Sequence, residues 1–235
     1  MARALHDREV MLALPFTTAE FYGVFARYNT SLWPIQLVLL ALAVACLVVV
    51  AVPARGPRAI AWMLALLWAW MGVAYHFAFF TAINPAAWAF GALSLVGAAV
   101  FGWQAVRGTL AFRWQRGWRS VAGAALVAYA LVGYPALGWL LGARYPEMPT
   151  FGLPCPTTIF TLGILLFAVR PVPRVVFVVP LLWSCVGTVA AFALGVRQDL
   201  GLLVAAAVIV PALLGTNSAS ASEHGALRSD REAHS

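Results

Sequence analysis

LWPIQLVLLALAVACLVVVAV, residues 32–52, decides the class of fold. The stretch runs for about 21 residues without a charge, the length a helix rising ~1.5 Å per residue needs to cross a ~30 Å hydrocarbon core. It is not an isolated patch. The whole chain is 63% hydrophobic and only 10% charged, with a mean hydropathy of +0.88. A soluble domain carries about 25% charged residues and could not coat a globular surface from this supply, whereas a lipid-facing surface needs no such coat.

Working outward, six further apolar segments follow: Ala59–Phe80, Ala86–Val106, Arg119–Leu141, Phe151–Val169, Val175–Leu194 and Leu200–Leu214. The breaks between them are short and rich in Arg, Pro and Gly. The expected fold class is all-α: a polytopic transmembrane helix bundle of about seven spans, occupying residues 15–217 as a single domain. The net charge of +7 comes from fifteen arginines and no lysine. These arginines lie between apolar runs and form no single patch, which excludes a nucleic-acid surface and fits membrane topology instead. The lack of lysine is read as codon bias in a GC-rich bacterial genome. Arg55, Arg58, Arg107, Arg113, Arg116, Arg119, Arg170 and Arg174 sit in alternate breaks, and the opposite breaks carry only Arg144 and Arg197. The positive-inside rule then expects a bacterial inner-membrane protein with its N-terminus outside and its C-terminus cytoplasmic, although Arg3, Arg8 and Arg27 fall on the outer side.

Ahead of the first segment, Thr17 and Glu20 have capping-box spacing and Phe16 and Phe21 occupy the staple positions. Phe21, Val24, Phe25 and Tyr28 recur at helical spacing. About eleven residues cannot span a bilayer, so a short outer interfacial helix is expected, lying on the leaflet or folded over the bundle. Residues 1–14 read as a flexible extension without a signal-peptide h-region, and residues 218–235 as a disordered cytoplasmic tail.

Polar residues that project to the outer side form the candidate site: Glu20, Tyr75, His76, Asn84, Cys155, Thr157 and Thr158. Pro154 and Pro156 each remove a backbone donor, so the fifth helix is expected to begin at Pro156 with Cys155 as its cap. The rest of that crossing, Phe151–Cys155, is expected to be extended backbone packed in protein or lining a wet cavity. Cys155 there is a small apolar residue in a turn, a reactive or ligand-binding thiol, or a metal ligand, the last without the companion ligands a metal site needs. His76 falls roughly 6 Å below the outer end of its segment. Both structural readings (snorkelling, or donation to a tyrosine) and a functional one, as a proton carrier or ligand, are open to it. Tyr75 also reads as an interface anchor, Asn84-Pro85 as a turn, and the ten tryptophans as an aromatic belt. Asp199 suits the start of the last helix, and Arg197 or Arg144 are candidate partners for it. The three cysteines form no disulfide framework, and no Cys-x-x-Cys or His-x-x-x-His spacing marks a metal. No cofactor is expected. The partners expected are the bilayer and a small-molecule or ion substrate, with no nucleic acid.

Four stretches carry a family resemblance: LPFTTAEFYGVFARYNTSLWPIQ (14–36), WAWMGVAYHFAFFTAINPAAWAFG (68–91), YPEMPTFGLPCPTTIFTLGILL (145–166) and VPLLWSCVGTVAAFALGVRQDLGLL (179–203). Together they resemble an uncharacterised family of bacterial multi-pass membrane proteins, a domain of unknown function. The resemblance implies a membrane protein of bacterial origin and assigns no substrate, reaction or catalytic residue. The functions left in play are a small-solute permease with an outward-facing site, a membrane-embedded thiol enzyme or redox sensor centred on Cys155, and a non-catalytic membrane partner subunit. No enzymatic chemistry can be argued from motif spacing.

Overall fold

The computed structural model describes residues 14–52, 56–169 and 171–214. Residues 1–13 of the expected extension and the whole of the expected tail lie outside them. The described residues form eight helices: α1 Thr18–Ser31, α2 Ile35–Ala51, α3 Arg58–Ala82, α4 Ala87–Arg107, α5 Trp118–Leu140, α6 Pro154–Leu165, α7 Val175–Leu194 and α8 Gly201–Leu214. The all-helical expectation holds. Four helices, α3, α4, α5 and α7, are long and apolar enough to cross a membrane, or five if α1 and α2, bent by 88°, count as one span. The remaining expected spans contain helices of only 12 residues in α6 and 14 in α8.

α6 organises the bundle. Eleven of its twelve residues are buried, and it packs against α3, α5, α7 and α8. An all-round apolar helix such as Ile159-Phe-Thr-Leu-Gly-Ile-Leu165 has no solvent face to offer, so it takes the centre. Its helix starts at Pro154, two residues earlier than expected, because Pro154 and Pro156 both fall in the first turn, where the missing N–H groups have no intrahelical acceptor anyway. Leu153 caps it, and Cys155 lies within the first turn. At the other end the helix tightens: Leu166, Phe167 and Ala168 donate to the carbonyls of Gly163, Ile164 and Leu165. The chain then runs beside the α4–α5 connection, where Val169 N–H donates to the Ala111 carbonyl (2.8 Å) and Arg113 N–H to that of Phe167 (3.1 Å).

α1 lies over the end of the bundle where α6 begins. The capping box is present, with Thr17 N–H donating to Glu20 Oε2 (2.7 Å) and Glu20 N–H to Thr17 Oγ1 (3.2 Å). Phe16 stacks on Phe21, as the staple requires. The buried face, Phe21, Val24, Phe25 and Tyr28, packs on Tyr75, Phe80, Leu153 and Leu194, which selects folding over the bundle from the two expected alternatives. Asn29, fully buried, ties α1 to the α5–α6 connection: its amide donates to the carbonyls of Pro146 (2.7 Å) and Met148 (2.8 Å) and its oxygen accepts from Thr150 (2.8 Å).

Two wide π turns interrupt the long helices, Met71–Phe77 in α3 and Tyr129–Gly133 in α5. The second has a visible cause. Pro135 cannot donate, and its ring would meet the carbonyl of Leu131 four residues back, so the helix widens there.

α5 and α6 approach through Gly123 and Gly163. A Cβ on Gly123 would stand 2.8 Å from the Gly163 carbonyl oxygen, whereas one on Gly102 of α4 would meet nothing nearer than 3.6 Å. Gly123→Ala is therefore expected to cost about 1–3 kcal/mol, and Gly102→Ala to be neutral or mildly stabilising. Thermal melts of the two purified variants check this; equal melting temperatures would refute the close approach.

Candidate binding cavity

A cavity of about 300 Å³ opens above the start of α6. Its floor is Leu153–Pro156. α1 and the residues before it supply Pro15, Phe16, Phe21 and Phe25; α3 supplies Tyr75 and Phe80, α4 Phe90, and α5 Tyr134. α7 contributes Trp183, Val186, Gly187 and Ala190, and the turn between α7 and α8 contributes Asp199. Several of these positions follow from local structure already described. Tyr75 lies in the π turn of α3, and Tyr134 directly follows that of α5. Gly187 keeps α7 close to its neighbours: a Cβ there would stand 2.4 Å from Leu202 and 3.6 Å from both Cys155 Sγ and Trp183 Nε1.

Asp199 is the single charged residue among the described residues that line the cavity. It sits on the short 3₁₀ turn Arg197–Leu200 and is only 4% exposed. Its carboxylate accepts from the Tyr134 hydroxyl and lies against the Cys155 thiol. Neither expected arginine pairs with it. Arg144 donates to the carbonyls of Trp139 (2.6 Å) and Ala143 (2.9 Å) and stacks over the Trp139 ring, while Arg197 is exposed. Burial raises the Asp199 carboxyl from 3.8 to about 6, with the bonds from Tyr134 and Cys155 opposing the rise.

Of the sequence-predicted site residues, Tyr75, Asn84 and Cys155 line this cavity. Asn84 does so while forming the expected turn, its side-chain oxygen accepting from Ala86 N–H (3.0 Å). His76 does not line it. It is fully buried behind the wall among Tyr75, Phe80, Phe90 and Trp183, with the Trp183 ring 5.0 Å away. Neither ring nitrogen has a hydrogen-bond partner among the described residues, so snorkelling and donation to tyrosine are both replaced by an aromatic box. Thr157 and Thr158 lie deeper in α6, fully buried, with hydroxyl oxygens that also lack partners among the described residues. Glu20 is exposed and engaged with Thr17 in the capping box, away from the cavity. Sequence reasoning passed over Tyr134, Trp183 and Phe90, and read Asp199 only as a helix-start residue. The available signals were Tyr134-Pro135 inside an apolar run and a carboxylate within Val196-Arg-Gln-Asp-Leu200. Among the described residues no group of three or more His, Cys, Asp or Glu is arranged to hold a metal ion.

A family model described as a family of unknown function, DUF6064, matches residues 18–223. The match bears out the resemblance to a family of unknown function. No curated protein and no solved structure matches the chain.

The raised carboxyl carries a pH signature. Because the folded protein holds this proton more tightly than the unfolded chain, the Asp199 contribution to stability is fully present below about 4. It is lost as pH rises through about 6, and the ionised, buried carboxylate then costs on the order of 3 kcal/mol. The groups facing it, Tyr22 of α1, Tyr75 of α3, Tyr129 and Tyr134 of α5 and Cys155 of α6, are phenols and a thiol whose ordinary titration lies above this window. Melting temperatures measured from pH 4.5 to 7.5 should fall more steeply for the wild type than for Asp199→Asn; parallel curves would show that the carboxylate is not buried in this way.

Proposed function

We propose that this chain, which belongs to DUF6064, a family of unknown function, is a multi-pass membrane protein that binds a small solute at Asp199 and Cys155 and acts as a permease or in its support. One observation carries the reading: a cavity lined by a buried carboxylate opens where a short, proline-led helix begins at the centre of an apolar bundle. Interrupted helices whose ends meet inside a bundle are the construction transporters use to present polar backbone and side chains at a depth where lipid forbids them.

In this reading α2 to α8 make seven crossings, with the irregular segments at the ends of α6 completing its span. The domain extends over residues 15–217, followed by a cytoplasmic tail. The arginine-rich breaks face the cytoplasm of a bacterial cell, and the cavity faces outward beneath α1. The outward-turned faces of the helices, with Leu37 and Val38 on α2, Trp88 on α4, Val132 on α5 and Phe192 on α7, suit lipid contact. The thiol-enzyme reading gains no comparable support, because the Asp199 carboxylate beside Cys155 would meet a thiolate as a like charge, and among the described residues no cation lines the cavity to offset it.

Two linked measurements test the proposal. With Cys155 as the only thiol, after Cys46→Ala and Cys185→Ala, a membrane-impermeant maleimide should label intact cells. Labelling only after the membrane is opened would invert the orientation, and none even then would close the cavity to water and end the site reading. In proteoliposomes, at least one of a broad panel of ions and small solutes should cross faster than through protein-free vesicles. A panel in which nothing moves would end the permease reading.

A further inference from the structure

The cavity wall is chemically one-sided. Among the described residues no arginine or histidine lines it, and the one charged group is the Asp199 carboxylate. That carboxylate accepts a hydrogen bond from the neutral Tyr134 hydroxyl, lies against the Cys155 thiol, and makes no ion pair among the described residues. A carboxylate offers about four lone-pair positions, so these neutral neighbours leave it room to accept more. A buried charge without a counter-ion is costly, and Asp199 lines the cavity, from which a counter-ion can reach it. An anionic ligand would meet a like charge with no cation among the described lining residues to offset it.

The remaining wall narrows the class further. Phe21, Phe25, Tyr75, Phe80, Phe90 and Trp183 surround the space. Several of these rings are already mutually ordered: Tyr75 stacks on Phe80 at 5.5 Å and on Phe25 at 6.1 Å, and Trp183 meets Phe90 edge-on at 5.4 Å. Aromatic faces attract cations through their quadrupole, and the attraction grows where water is excluded. They also accept apolar groups. Among the described residues a hydrated metal ion would find one carboxylate and no further acidic or histidine ligand, which is too few. At about 300 Å³ the space is at the small end of ligand pockets.

We infer that the ligand of this cavity is a small organic monocation, an amine or alkylated ammonium carrying an apolar group, with its charge on Asp199 and its apolar part among the aromatic rings. The inference rests on the solute-site reading above and adds the ligand class to it. Three probes of one shape separate the possibilities: benzylammonium, benzyl alcohol and benzoate. They are titrated calorimetrically into the full-length protein in detergent at pH 7.5, and each is also tested for protection of Cys155, as the sole thiol, against maleimide.

Benzylammonium is expected to bind saturably at least tenfold more tightly than either other probe, and to slow labelling of Cys155. Asp199→Asn should lower its affinity at least tenfold and erase the preference over benzyl alcohol. Asp199→Glu, which keeps the charge, should retain the order of preference, so that a folding defect in the asparagine variant does not decide the matter. Saturable, protecting binding of benzyl alcohol or benzoate with equal or higher affinity would overturn the cation class and leave the solute site standing. Binding of none of the three would overturn both.

Discussion

A short helix buried on every side is the constraint from which most of this structure follows. α6 has 12 residues, roughly 18 Å of rise. In a polar solvent the unpaired backbone at its ends could be left to water, but inside an apolar bundle each group needs a partner. The molecule meets that demand differently at the two ends. At the C-terminal end the carbonyls are taken up by tightened turns, and Phe167 and Val169 pair with Ala111 and Arg113 of another connection. At the N-terminal end two prolines simply have no N–H to satisfy, and the approach to Leu153 is held by the buried amide of Asn29. The cavity lies above this end, where no helix fills the space.

The long helices were legible for a simple reason. α3, α4, α5 and α7 are uniform apolar runs bounded by Arg, Pro or Gly, and their ends fall within about two residues of those read from the sequence. α6 shows where hydropathy stops being a measure of helix length. Phe151–Leu153 and Leu166–Val169 are as apolar as the helix between them, yet Gly152 takes a φ of +99° and the later residues turn. Hydropathy reports which residues avoid water; it says nothing of how their backbone is paired. The same gap explains the bend after α1, where the apolar run beginning at Leu32 becomes helix only at Ile35, past Pro34.

The site was legible in part, and the misses have physical causes. Cys155, Tyr75 and Asn84 were found because polar groups near segment ends are unusual, and the structure brings all three to one cavity. Glu20 was read correctly as a capping residue, and that role is why it is absent from the cavity: its carboxylate is already engaged by Thr17. Tyr134 was missed because helical periodicity places a mid-segment tyrosine by a regular turn, and the π turn before it changes the register. Asp199 was underrated because a carboxylate at a helix start has an ordinary explanation, and only the packed structure shows that it is buried and shared with Tyr134 and Cys155.

The chemistry of Asp199 is hard to derive from folding alone. A side-chain amide at this place has an oxygen able to accept from Tyr134, so the hydrogen bond does not in itself require a charge. The charge brings desolvation cost with no compensating ion pair among the described residues, and His76 shows that this bundle otherwise handles a polar ring by surrounding it with aromatic neighbours. Residues that lower stability at one point in a well-packed core tend to be those whose benefit appears elsewhere, in binding or in a second conformation. The position fits that pattern. Asp199 lies on a turn between two helices, at the edge of a cavity, where a ligand can supply what the fold withholds.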